Sequence, residues 1–268
     1  MVSILNYIKK LEILRGDLMF KAVTKDSKLL KDSIDTISQL IDDGLFKLKK
    51  DGMELMAADR AMVSFIDFKL KSSSFDEYEC DREMSIGLNL LNFLTVLKRA
   101  NVDDKLTLEL NEKENKLVVI LEGDSKRKFA IPLIEISRED MPQIDQLKFS
   151  ASAEVRADIL EQGITDADIV ADSIVIELSP ENLRMCAEGN SSKAELNLEK
   201  GNDALFDLDA SEIVNSRYSL EYLNRMIKGS RLTEKVKLMI GKDFPLKIEF
   251  KGDNALLSMV LAPRIADE

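Results

Sequence analysis

The densest run of side chains that could do chemistry is acidic: Asp76, Glu77, Glu79 and Asp81 fall within six positions of one another. Such carboxylates can hold Mg²⁺ and orient a water for phosphodiester hydrolysis. They sit, however, in a charged loop before an alternating apolar segment, where a solvated turn is the commoner role, and neither a Gly-rich phosphate loop nor a GK[ST] signature accompanies them. Histidine is absent from the 268 residues. That removes the commonest general base and metal ligand and excludes a Ser-His-Asp triad. The two cysteines, Cys80 and Cys186, lack CxxC spacing and read as buried free thiols rather than as a disulfide framework or a zinc site. The residue types therefore lead to no catalytic residue, no metal and no cofactor, and the expectation is a protein that is not an enzyme.

Charge distribution and repetition say more. The formal net charge is −11, which taken alone argues against a nucleic-acid partner, because phosphate contacts need clustered Lys and Arg. Only an uneven distribution reverses that. Hydrophobic residues make up 45% of the chain, enough for a substantial core. No apolar run reaches the roughly 18 residues that span a bilayer, and Lys9 and Lys10 interrupt the N-terminal apolar stretch, so the expectation is a soluble intracellular protein with no membrane partner.

Period-two alternation marks many half-buried strands, among them Met84, Ile86, Leu88; Leu117, Val119, Leu121; Ile174, Ile176, Leu178; and Leu246, Ile248, Phe250. Four stretches show helical spacing instead: Leu29 to Ile41, Leu90 to Leu97, Val155 to Leu160 and Leu220 to Ile227. Their order repeats. LLNFLTVLKRANVDDKLTLEL (Leu90 to Leu110) followed by KLVVIL matches in pattern SLEYLNRMIKGSRLTEKVKLMI (Ser219 to Ile240) followed by PLKIEF. An earlier pair, Gly44 to Leu70 against Ala167 to Leu198, agrees. The reading is an α+β chain of two repeated β-sheet domains, each with two helices on one face of an antiparallel sheet. Residues 18–134 form the first domain, 135–150 an exposed connector and 151–268 the second. Residues 1–17 stand outside the repeat, either as an amphipathic extension that binds a partner or as sequence upstream of the native start.

The stretch FDEYECDREMSIGLNLLNFLTVLKRANVDDKLTLEL, Phe75 to Leu110, resembles the most diagnostic segment of the proliferating cell nuclear antigen family, above all in its FDxYxCD opening and the GxNL before the helix. MAADRAMVSFIDFKL from Met56, FPLKIEF from Phe244 and LAPRI from Leu261 follow in the expected order, so the resemblance covers roughly residues 18–268 and is closest in kind to the archaeal branch.

The resemblance implies a sliding clamp: a head-to-tail trimer closed into a ring, helices lining the bore, sheets outside. A ring can be acidic overall and still present a basic inner wall, since charges act strongly only within about one Debye length, ~8 Å at physiological salt. On this reading the candidates for sequence-independent contact with double-stranded DNA are Lys28 and Lys31 in the first helix, Lys98 and Arg99 ending the second, Arg156 in the third, and Arg225 and Lys228 in the fourth. Lys31 and Lys98 fall where the family carries basic residues; helix phase alone places the others. The same helices carry Asp32, Asp35, Glu154, Asp158 and Glu161, which points to a weakly basic wall.

Partners of the family dock a short peptide, with a glutamine and an apolar helical turn, beneath the connector. The residues that match such a pocket are Met62, Val63, Phe65, Met141, Pro142, Ile144, Leu147, Pro245, Leu261, Ala262 and Pro263. The partners so implied are DNA polymerase, clamp loader, flap endonuclease and DNA ligase. Subunits would join through edge strands at Lys126 to Leu133 and Lys193 to Glu199. The alternative is a subunit of a heterotrimeric or checkpoint-type clamp. The compartment follows the source: cytoplasmic and nucleoid-associated in an archaeon, nuclear in a eukaryote.

Overall fold

The computed structural model describes residues 19–111, 113–137 and 146–264. Among these the first repeat runs β1 (Phe20–Thr24), α1 (Lys28–Ile37), β2 (Asp43–Lys49), β3 (Gly52–Ala58), β4 (Ser64–Lys71), β5 (Glu77–Cys80), β6 (Met84–Asn89), α2 (Leu90–Leu97), β7 (Lys105–Asn111), β8 (Lys116–Glu122) and β9 (Lys126–Pro132). The second repeats that order: β10 (Ala151–Arg156), α3 (Ala157–Asp168), β11 (Ser173–Leu178), β12 (Asn182–Glu188), β13 (Lys193–Glu199), β14 (Leu205–Ala210), β15 (Val214–Ser219), α4 (Leu220–Met226), β16 (Lys235–Ile240), β17 (Leu246–Lys251) and β18 (Ala255–Leu261).

The backbone divides into two compact units that do not follow the repeat boundary. Among the described residues, one comprises 19–31, 42–55 and those from 69 to 137; the other comprises 32–41, 56–68 and those from 146 to 264. In the first unit five antiparallel strands are ordered β5-β1-β7-β8-β9, and β2 pairs with both β3 and β6. In the second, four strands are ordered β13-β12-β11-β15, and the run β14-β10-β16-β17-β18 takes on β4 as its next strand. The topologies are copies: β14-β10-β16-β17-β18 reproduces β5-β1-β7-β8-β9, and β12-β11-β15 reproduces β3-β2-β6.

Strand alternation does what the sequence led us to expect. In β2, Phe46 and Leu48 are fully buried while Lys47 and Lys49 stay at the surface. The β2–β3 turn needs glycine at Gly52, where φ is +147° and a Cβ would lie 2.1 Å from the carbonyl oxygen of Leu70. Helix α2 buries Leu90, Phe93, Leu94 and Leu97, each worth roughly 1.5–3 kcal/mol of transfer free energy. It begins directly at the end of β6: Asn89 is extended, and its side chain accepts the amide N–H of Asn92 at 3.0 Å.

Three boundaries differ from the periodicity reading. The first helix stops at Ile37, not Ile41. The third starts at Ala157 and continues to Asp168, because Val155 serves β10, where it is buried opposite Val236, and Arg156 is the extended N-cap. Gly163 does not end that helix. It lets α3 lie close to the sheet, since a Cβ there would meet Leu196 at 3.1 Å and Met185 at 3.4 Å. The fourth helix gives way at Ile227 to a 3₁₀ segment, Ile227–Leu232, which contains Lys228. Within the second unit α3 packs beside α4; α3 also packs on β11–β13, and α4 on β11 and β15, so both helices share one sheet face.

Candidate nucleic-acid interface and partner site

The basic side chains singled out from sequence do not stand alike. Lys28 is exposed at the start of α1, and Lys31 is half-buried one turn on. Lys98 is the exposed C-cap of α2, with its amide donating to the Leu94 carbonyl, and Arg99 follows it, exposed. Arg156, expected in the third helix, instead caps it. Its guanidinium grips Asp158 with two hydrogen bonds, Nε to Oδ1 at 2.9 Å and Nη2 to Oδ2 at 2.5 Å. The Arg156 hydrogen bond is the main reason the Asp158 carboxyl is held below its ordinary range. Arg225 donates from Nη2 to Glu221 at 2.5 Å, one turn back, and lies 5.7 Å from the Tyr222 ring centroid.

Helix α3 bears Asp158, Glu161, Asp166 and Asp168 and no Lys or Arg. A helix of that sign repels phosphate. The cation that sequence reading missed is Arg231, in the 3₁₀ segment, whose Nη1 donates to Asp35 at 3.1 Å. Arg156 and Arg231 line one cleft of about 570 Å³ together with Asp158, Ser230, Thr233 and Glu234. Basic character thus gathers at the end of α2 and along α4 with its 3₁₀ continuation, and is cancelled at α3.

Two carboxylates of the acidic run before β6 make structural contacts. Asp76 accepts the amide of Lys25 at 2.9 Å, and Glu77 pairs with Lys21 at 2.8 Å, a contact that lowers its pKa chiefly through that hydrogen bond. Cys80 is buried, and burial pushes its thiol pKa up; Cys186 is half-exposed rather than buried.

Of the partner-site residues, Met141, Pro142 and Ile144 lie outside the described residues, as do residues 1–17. Met62 is 48% exposed with φ at +55°, while Val63 and Phe65 are half-buried. Ala262 donates its amide to the Val63 carbonyl at 2.9 Å. Pro245 continues the β17–β18 register, Leu246 opposite Leu261, and so falls across from Ala262. Met62, Val63, Pro245, Ala262 and Pro263 are thereby gathered on neighbouring strand ends in the second unit. Leu261 is a correction: it has no exposure and packs in the core, so its side chain cannot line a surface groove. Leu147 is half-buried, near Phe149, whose ring meets that of Phe244 edge-on at 5.7 Å.

Sequence reading also missed Asp59, which organises this corner. It is 7% exposed and accepts hydrogen bonds from the amides of Ala61, Val63 and Ser64 at 3.2, 2.8 and 2.6 Å and from the Tyr222 hydroxyl at 2.9 Å. An Asp opening a turn, with amide N–H groups two to five residues on, is the signal that was there to read.

The strands at Lys126 to Leu133 and Lys193 to Glu199 are β9 and β13, each the last strand of its sheet. Their backbones can be phased. Leu133 donates its amide to Asn115 at 2.9 Å, so odd residues of β9 bond to β8, and Lys126, Lys128, Ala130 and Pro132 direct their backbone groups to the open side. Pro132 loses nothing there, because an outward position needs no N–H in the chain itself. On β13, Lys200 donates to Glu181 at 2.7 Å, so Lys193, Glu195, Asn197 and Glu199 face outward.

Comparison with known proteins gives a consistent result. A family model described as proliferating cell nuclear antigen, N-terminal domain, matches residues 19–142, and the corresponding C-terminal domain matches residues 143–265. The DNA polymerase sliding clamp of Thermococcus sibiricus is 35% identical over 249 residues, covering 92% of this chain and 99% of the relative. The crystal structure of PCNA from Thermococcus kodakaraensis superposes with a TM-score of 0.85 at 30% identity, covering 91% of this chain and 100% of that one. A PCNA2–PCNA3 complex from Sulfolobus tokodaii gives 0.84 at 25% identity, covering 91% and 99%.

Proposed function

Because the chain belongs to the proliferating cell nuclear antigen family, which matches it over nearly its whole length, we propose that it is a DNA polymerase sliding clamp, a processivity factor that closes into a ring around duplex DNA. One observation carries the assembly part of this reading. The duplicated unit makes two strands that want a neighbour, and the chain satisfies them once: β18 has β4 beside it, whereas their counterparts β9 and β13 end their sheets. A second copy supplies what each lacks. Pairing of β9 with another chain's β13 is heterologous, and such contacts close a ring when the rotation fits. Three copies, with six sheet-and-helix modules, are the count we infer.

Inside that ring the wall touches phosphate through Lys28, Lys31, Lys98, Arg99 and Lys228, with Arg156, Arg225 and Arg231 contributing as Asp158, Glu221 and Asp35 are displaced from them. Contact of this kind is weak and blind to base sequence, as sliding requires, and enclosure supplies the retention. The corner formed by Met62, Val63, Pro245, Ala262 and Pro263 takes the apolar peptide of polymerase, clamp loader, flap endonuclease or ligase. Methionine there suits several ligands, since its unbranched side chain repacks readily. The fold serves binding, not catalysis.

The test reverses Lys31, Lys98 and Lys228 to Glu. Processive synthesis by a clamp-dependent polymerase should fall while the particle mass holds, and unchanged processivity would refute the assigned wall. Light scattering of the isolated chain separates a self-assembled ring from a subunit that requires a different partner chain.

A further inference from the structure

We infer that Asp59 and Tyr222 form a positioning pair that sets the shape of the partner-binding loop; the inference rests on the peptide site proposed above. All four amide N–H groups from Ala61 to Ser64 end on Asp59. Three go to its carboxylate, and that of Met62 goes to its backbone carbonyl at 3.0 Å. The Asp59 amide in turn donates to the Ser64 carbonyl at 3.0 Å, closing the loop.

Two consequences follow for the surface. Met62 is held in the left-handed region, at φ +55°, a conformation that a non-glycine residue keeps only where its surroundings over-determine it. That conformation leaves the thioether at the surface instead of in the core. Val63, its amide taken by Asp59, has its carbonyl placed to accept Ala262, which fixes the C-terminal side of the same site. Asp59 holds the backbone amides of both residues and so sets the Met62 side chain and the Val63 carbonyl. It acts through them.

Tyr222 completes the arrangement from helix α4. Its hydroxyl donates to Oδ2 at 2.9 Å, and the Ala61 amide that shares that oxygen makes the longest bond of the set at 3.2 Å. The phenol therefore fixes the carboxylate rotation that lets Oδ1 take Val63 and Ser64 together. The ring is also the one approached by Arg225, so a residue of the helix that carries this cation governs the geometry of the peptide corner.

The experiment measures binding of a fluorescein-labelled short peptide, carrying one glutamine and an apolar aromatic helical turn, to wild type, Asp59→Asn, Tyr222→Phe and the double variant. Fluorescence anisotropy reads the affinity, and light scattering confirms particle mass. Loss of a hydrogen bond to a charged group should weaken the peptide by roughly 10-fold in each single variant. The double variant should bind no more weakly than Asp59→Asn, because Tyr222 acts only through the carboxylate. Amide hydrogen exchange of Ala61, Val63 and Ser64 in Tyr222→Phe, the milder change, should quicken without change in melting temperature, a signature that general destabilisation would not give. Equal peptide binding by all four proteins, additive losses, or unaltered exchange in Tyr222→Phe each overturns the pair. A wild-type protein that fails to bind the peptide overturns the site itself and, with it, this inference.

Discussion

Replacing Ala130 by proline should dissolve the ring and leave the subunit folded. Ala130 lies on the open side of β9, with Leu133, Ile131 and Phe129 bonding inward to β8 and Lys128, Ala130 and Pro132 facing out. Proline at an outward position removes an N–H that has no partner within the chain, and its preference for an extended preceding residue suits Phe129 in mid-strand. The cost appears only on assembly. Pro132 already withholds one donor from that edge, so the outward N–H groups left to bond a neighbour are those of Lys126, Lys128 and Ala130. Loss of the last leaves an acceptor on the facing strand buried without a partner, about 1–3 kcal/mol per interface. Over three interfaces that is roughly 3–9 kcal/mol, on the order of 10²–10⁶ in the assembly constant. Sedimentation equilibrium over a concentration series reads the shift from ring to monomer, and far-ultraviolet circular dichroism checks the fold. Phe129→Pro is the counter-control. It removes a bond to β8 and should destabilise the chain itself. Ala130→Pro particles of unchanged mass at nanomolar concentration would refute the edge-strand account.

Three further outcomes follow from local geometry. Gly229→Ala places a Cβ 2.6 Å from the Phe250 ring in the core, so urea unfolding should show a loss of about 1–3 kcal/mol; a neutral result would mean the ring moves freely. Asp59 is pushed up by burial but more than offset by hydrogen bonds from the Ser64 amide, the Tyr222 hydroxyl and the Val63 and Ala61 amides, so its folded pKa lies below its ordinary value. A depressed carboxyl stabilises above its unfolded pKa and ceases to do so as pH falls through the folded one. The stability gap between wild type and Asp59→Asn should therefore be widest near neutrality and close in acid, and a gap constant with pH would contradict the assignment. Glu195, on the outward edge of β13, is held down to about 2, first by its hydrogen bond from Arg184 and then by Lys193. Carboxyl NMR titration should find that midpoint, its stabilising contribution full above the ordinary carboxyl range and lost as pH falls from there to about 2, and Arg184→Ala should return it toward the ordinary range.

How far the residues alone reach depends on the distance over which each contact acts. Alternation such as Phe46 and Leu48 against Lys47 and Lys49 is local, and the strands it marks are present. Leu90 to Leu97 was equally plain from its helical apolar spacing, and that helix is present with those bounds. Helix α3 was misplaced by overlap: Val155 satisfies a helical period and a strand period at once, and only its pairing with Val236 decides. Glycine disfavours a helix, yet Gly163 lies inside α3, where it admits Leu196 and Met185 close to the helix axis. Arg156 and Arg225 read as free cations until their acidic neighbours, two and four residues away, were seen to turn towards them. Leu261 is apolar near a chain end, and nothing local distinguishes a groove residue from a core one.

Asp59 was out of reach for a different reason. Its Tyr222 partner lies 163 residues away, and its other partners are backbone amides, which every residue owns. The same non-locality governs assembly. Among the sheet edges of a single module are those that β4 and β9 represent. Duplication with a connector lets β18 meet β4, which removes one pair of edges but leaves β9 and β13. Adding modules in one chain would always leave two. On the proposed clamp reading a second copy covers these two edges, which differ in charge: the outward residues of β9 include Lys126 and Lys128, those of β13 include Glu195 and Glu199 beside Lys193.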